Sequence, residues 1–109
     1  MPREFPDLST LMAALDAASC AVVIADARKP DLPLVYVNRT FEKITGYSPA
    51  ESLGRNCRFL QGPDGNQPGL QTVRKALRAG RACDVVLVNY RKDRTPFRNE
   101  LSLAPVRDT

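Results

Sequence analysis

Histidine is absent from this chain of 109 residues. That removes the usual zinc-ligand spacings, Cys–His nucleophilic pairs and Ser–His triads, and no metal site is expected. The three cysteines, Cys20, Cys57 and Cys83, form no CxxC pair, and their odd number leaves at least one thiol unbridged. No GxGxxG fingerprint is present, which argues against a dinucleotide-dependent oxidoreductase. No apolar run reaches the length needed to span a bilayer. The first residues lack a basic segment followed by an apolar one, so no secretory leader is expected and a reducing, cytoplasmic setting is the default. Blocks of one charge are also missing. The net charge of +4 is scattered along the chain, which fits a solvated surface better than a nucleic-acid interface. Internal repeats and low-complexity segments are absent as well. What remains is one small domain with room for a single core.

The order of elements reads from caps, breakers and periodicity. Asp7 can cap a helix running to about Ala17, with Leu8, Leu11, Met12 and Leu15 on one stripe. The apolar run Ala21–Ala25 and the run Leu34–Val37 predict paired strands joined by the loop Pro30–Pro33. Asn38 caps a short helix containing Phe41 and Ile44 that stops at Gly46. Ser48, Pro49 and Glu51 have the capping-box spacing for another. After the polar loop Pro63–Gln67, a longer helix starts at Pro68 and ends at Gly80, with Leu70, Val73 and Leu77 on one face. The last third is a hairpin. Cys83, Val85, Leu87 and Asn89 share one face of its first strand, and Phe97, Asn99, Leu101 and Leu103 one face of its second.

Several side chains stand out chemically. Asn89 and Asn99 each continue an apolar face, and a buried amide without partners costs roughly 1–3 kcal/mol. Either a ligand with alternating donors and acceptors satisfies them, or they lie near strand ends and reach water. Cys57 sits among Asn56, Arg58 and Gln61, unlike Cys20 and Cys83, which read as small core residues. Arg58 and Arg74 could clamp a phosphate through bidentate, charge-assisted bonds, or could be solvated surface charges. Val23, Leu60, Val73, Leu87, Leu101 and Leu103 are core residues that could also wall a flat ligand.

The run Gly54-Arg55-Asn56-Cys57-Arg58-Phe59-Leu60-Gln61-Gly62 resembles the signature of LOV domains, the blue-light-sensing branch of the PAS superfamily. The likeness extends from about Val22 to Asp108. It is supported by Gln61-Gly62-Pro63, by Val73-Arg74-Lys75-Ala76-Leu77-Arg78, by Asn89-Tyr90-Arg91-Lys92-Asp93 and by Asn99. The resemblance implies an α+β PAS-like fold, an antiparallel sheet with short helices on one face, formed by a core over 21–109 behind a helical cap over 1–20. It implies FMN as cofactor, and reversible bonding of the Cys57 sulfur to ring carbon C4a of the photoexcited flavin. Asn56 and Gln61 would meet the ribityl chain and pyrimidine edge, and Asn89 and Asn99 would read that edge. Arg58 and Arg74 would hold the phosphate, with Arg78 a weaker substitute. The apolar residues Val23, Leu60, Val73, Leu87, Leu101 and Leu103 would enclose the ring. The family is not enzymatic.

This chain departs from the pattern in two places. Arg94 stands in the hairpin turn where relatives usually carry glycine. Only four strands are legible, whereas a PAS sheet has a fifth, central strand that in LOV domains carries a signalling glutamine. A fragment of a longer receptor is therefore expected. The alternatives are a strand supplied by a second chain, or a natural short product. A homodimer through the N-terminal stripe is a possible partnership, and the effector is unknown. The rival function is a PAS-type interaction module without a working photocycle.

Overall fold

The computed structural model describes residues 7–105; residues 1–6 and 106–109, the outer ends of the expected cap and core, lie outside the described residues. The chain divides into two compact units, Met1–Cys57 and Arg58–Thr109.

The first unit holds α1 (Leu8–Ala17), β1 (Val23–Ala25), β2 (Leu34–Val37), α2 (Arg39–Thr45) and α3 (Pro49–Ser52). The helix starts are those the caps predict. The side chains of Asp7, Asn38 and Ser48 accept from the backbone N–H of Thr10, Phe41 and Glu51, and Glu51 completes the capping box at Ser48. Strands β1 and β2 pair antiparallel, with Val23 opposite Val37 and a shift in register between Ile24 and Ala25. The first strand is shorter than the run Ala21–Ala25 predicts: the Val22 carbonyl still accepts from the Asn38 N–H, but the Val22 N–H donates to the Asn38 side chain instead of a backbone carbonyl.

Asn38 organises this unit. Its Oδ1 accepts from Val22 N–H and Phe41 N–H, both at 2.9 Å. Its Nδ2 donates to the carbonyls of Leu15 (2.8 Å) and Cys20 (3.0 Å). All four bonding positions of the amide are thereby used at a residue only 1% exposed. One side chain thus ties the end of α1, the entry to β1 and the start of α2. Tyr36 Oη and the Arg39 N–H both donate to Asp16, and Thr40 donates to the Ala18 carbonyl, which fastens the end of α1 further. The apolar core of the unit is Leu34, Val37 and Phe41. The predicted stripe on α1 takes no part in it: Leu8, Leu11 and Met12 are exposed and Leu15 is half-buried.

The second unit contains most of a 3₁₀ turn (Cys57–Gln61), then α4 (Pro68–Ala79), β3 (Cys83–Tyr90) and β4 (Pro96–Leu103). Strands β3 and β4 form a regular antiparallel ladder in which Cys83, Val85, Leu87 and Asn89 face Leu103, Leu101, Asn99 and Phe97. These eight residues are the half-buried or buried ones, and their neighbours in sequence are exposed except at Tyr90, so the period-two reading holds. The buried apolar residues are Leu60, Leu70, Ala76 and Leu87. The helix face differs from the expected one by a residue, since Leu77 is exposed and Ala76 is buried. The cause is close packing of small residues. A Cβ added at Gly69 would lie 2.8 Å from Leu87 Cδ2 and 3.1 Å from the Val86 carbonyl oxygen, so α4 starts directly against β3.

Candidate functional site

In the first unit the signature run is anchored to β2. Gly54 N–H donates to the Leu34 carbonyl and Leu34 N–H to the Arg55 carbonyl, each at 2.8 Å. Asn56 Nδ2 donates to the Asp31 carbonyl at 2.7 Å, so the loop before β2 fixes its amide. Asp31 and Leu32 hold positive φ angles of 67° and 49° to make that loop. Cys57 follows and opens the 3₁₀ turn. It is exposed; so is Cys20, contrary to its reading as a core residue, while Cys83 is half-buried, and all three cysteines are unbridged. Although Cys57 is exposed, desolvation pushes the thiol up to about 11 from an ordinary value of 9.0. The thiol therefore carries its proton at neutral pH and is not a standing nucleophile. Val23, the expected wall residue of this unit, is half-buried on β1.

In the second unit, the protected face of the β3–β4 hairpin is apolar except for two amides. Asn89 is 4% exposed and Asn99 half-buried. Asn99 Nδ2 donates to Asn89 Oδ1 at 2.8 Å, and Asn89 Nδ2 donates to the Val88 carbonyl at 3.2 Å. The pair shares this face with Leu87 (buried), which lies opposite Asn99, and with Leu101 and Leu103 (half-buried) further along β4. A face of this kind offers apolar cover together with amide donors and acceptors, which is the donor set that a flat heterocycle with a polar edge requires. Leu60 is the buried residue of the 3₁₀ turn, and Gln61, which ends it, is half-buried. Arg58 lies on the same turn and Arg74 in the middle of α4; both are exposed, as is Arg78, while Val73 beside Arg74 is half-buried.

Three further residues brace the second unit and were not singled out from the sequence. The ring of Tyr90 rests on Gly62, where an added Cβ would come within 2.7 Å of Tyr90 Cδ1. The Tyr90 hydroxyl donates to Asp64 Oδ2, and that bond to a carboxylate raises the phenol above its ordinary value. The side-chain amide of Gln67 pairs with the peptide of Val88: Nε2 donates to its carbonyl and Oε1 accepts from its N–H, each at 2.7 Å. The only sequence signals for these contacts were the Gly62-Pro63 turn and a glutamine directly before a helix-starting proline. Among the described residues no cluster of His, Cys, Asp and Glu could hold a metal, and no helix is long and apolar enough to cross a membrane.

Comparison with known proteins places this geometry. The PAS domain family matches residues 19–109. The chain is 43% identical over 108 residues to phototropin-2 of Oryza sativa subsp. japonica, covering 99% of this chain and 12% of that protein. It is 41% identical over 104 residues to a blue-light photoreceptor of Listeria monocytogenes, covering 95% of this chain and 41% of that one. The chain thus spans less than half the length of these curated relatives. Among solved structures, the Rhodobacter sphaeroides LOV protein superimposes with a TM-score of 0.85 at 40% identity, over 91% of this chain and 56% of that one. The expected α+β, PAS-like fold is borne out by that likeness. The chain belongs to the PAS domain family and, within it, to the LOV domains, its blue-light sensory branch.

Proposed function

We propose that this LOV domain senses blue light by holding FMN, with Cys57 as the residue whose sulfur bonds reversibly to the excited ring. When bound, the flavin supplies the light absorption and the electrophilic carbon. The observation that carries the reading is the bonded pair Asn89–Asn99 on an otherwise apolar face with Leu87, Leu101 and Leu103. The pair gives Asn89 a partner at both of its side-chain polar atoms and Asn99 one at Nδ2, and the two amides together would offer donors and acceptors to the pyrimidine edge. Asn56 and Gln61 are assigned to the ribityl chain and the pyrimidine edge, and Val23, Leu60 and Val73 to the apolar enclosure. Arg58 and Arg74, both exposed, would hold the terminal phosphate, for which the planar guanidinium is suited to bidentate, charge-assisted bonds. Cys57 keeps a proton in the dark, because its surroundings disfavour the thiolate.

On this reading the chain is a sensor and not an enzyme. It comprises a cap over 1–20 and a core over 21–109, and works in the cytoplasm. A second reading, an interaction module that pairs with another copy, draws on the exposed stripe Leu8, Leu11 and Met12. Acid extraction of flavin from the purified chain, followed by chromatography, tests the cofactor assignment. FMN is the expected product. Recovery of FAD alone, or of no flavin from folded protein supplied with FMN, contradicts it.

A further inference from the structure

Gln67 occupies the N-cap position of α4, where Ser, Asp or Asn usually caps the helix, yet its side chain makes no cap bond. Its amide points instead to the edge of β3. In an antiparallel pair, alternate residues turn their N–H and C=O groups away from the partner strand. Val88, opposite Arg98, is such a residue in β3, and Gln67 takes both its groups at 2.7 Å. One side chain therefore stands in for a neighbouring strand at a single peptide and fixes α4 to β3 at the helix's first turn. A third bond, from Gln67 Nε2 to the Asp64 carbonyl at 3.0 Å, draws in the loop that Tyr90 holds from the other side.

We infer that Gln67 is a positioning residue for phosphate recognition. Its clamp sets how far α4 stands along β3, and so where Arg74 lies relative to the ring-reading Asn89, the residue after Val88. This rests on the flavin reading above. Arg74 is seven residues from the clamp, roughly 10 Å along the helix axis at the usual rise. The apolar contacts of α4 are non-directional: Gly69 against Leu87 and the buried Leu70 in its first turn, and the buried Ala76 further on. Such contacts resist separation but do little against sliding, whereas a bidentate amide–peptide pair has one register. Asn89 and Asn99, in contrast, are held by their own strands and by each other. Loss of the clamp therefore displaces the phosphate contact and spares the ring contacts.

The test is binding of FMN and of riboflavin, which lacks the phosphate, to the full chain with Gln67→Ala and with Gln67→Glu. The glutamate variant keeps an acceptor for Val88 N–H but sets a carboxylate against its carbonyl. Loss of one charge-assisted contact corresponds to about a tenfold change in Kd. We expect FMN to weaken by about that factor in both variants, riboflavin by less than about twofold, and no further change in the ratio when Arg74→Ala is already present. Hydrogen exchange without ligand gives a second readout: the Val88 amide is protected in the parent and exchanges faster in Gln67→Ala. Equal weakening of both ligands, an unchanged FMN affinity, or unchanged protection of Val88 overturns the inference alone. Failure of the parent to bind either ligand overturns the flavin reading and this inference with it.

Discussion

Cys57 combines two properties that are usually separate. It is exposed, as a reactive thiol is, and its pKa is raised to about 11 by desolvation, as in an inert one. A thiol in that state waits for an activated partner instead of attacking in the dark. The folded pKa lies above the unfolded value near 9.0, so between the two the folded chain holds more protons than the unfolded one. Stability from this group is therefore intact below about pH 9 and declines as pH rises toward about 11. In a Cys20→Ser, Cys83→Ser background without flavin, dark alkylation by iodoacetamide is expected to be slow at pH 8 and to climb only well above pH 9. Rapid alkylation at pH 8, matching that of the unfolded chain, contradicts a raised pKa. At this scale the asparagines were legible from the sequence: period-two spacing alone put Asn89 and Asn99 on the inward faces. That they bond each other was not legible, since it depends on the register that sets Leu87 opposite Asn99 and Asn89 opposite Phe97.

Among the elements, the β3–β4 hairpin shows a local conflict between sequence and turn. Arg91 N–H donates to the Thr95 carbonyl and Arg94 N–H to the Arg91 carbonyl, which closes a loop that places Arg94 at φ 72°. A side chain in that region costs roughly 1–2 kcal/mol, of which glycine would return part through its own entropy cost of about 0.5–1 kcal/mol. Arg94→Gly is thus expected to raise unfolding stability by about 0.5–1 kcal/mol, read by urea denaturation with unchanged slope. A loss of stability would mean that the Arg94 side chain contributes more than its backbone strain removes.

Helix starts and stops were legible because caps act locally: Asp7, Asn38, Ser48, Gly46 and Gly80 each act within a turn of chain. The face of α4 was misread because helical period alone cannot say how close a helix approaches. Gly69 permits close contact with β3, and the helix buries the small Ala76 while Leu77 turns outward. The 3₁₀ turn at Cys57–Gln61 has no apolar period to reveal it, and the Gln67–Val88 and Tyr90–Asp64 contacts join residues 21 and 26 positions apart.

For the whole molecule, caps, alternation and one nine-residue run sufficed to assign the fold class and the family, and long-range polar contacts then refine each compact unit. The first unit is organised around Asn38 and carries Cys57; the second presents the amide pair and the basic residues of α4. The central claim is that Cys57 is the light-dependent bonding residue of a flavin photosensor. The most direct measurement is the visible absorbance of the FMN-loaded chain before, during and after blue illumination, compared with that of Cys57→Ala. The prediction is that the blue band fades in light and returns in darkness for the parent, Cys20→Ala and Cys83→Ala. Cys57→Ala should keep its flavin and show no such cycle. A Cys57→Ala chain that fades and recovers like the parent would contradict the claim.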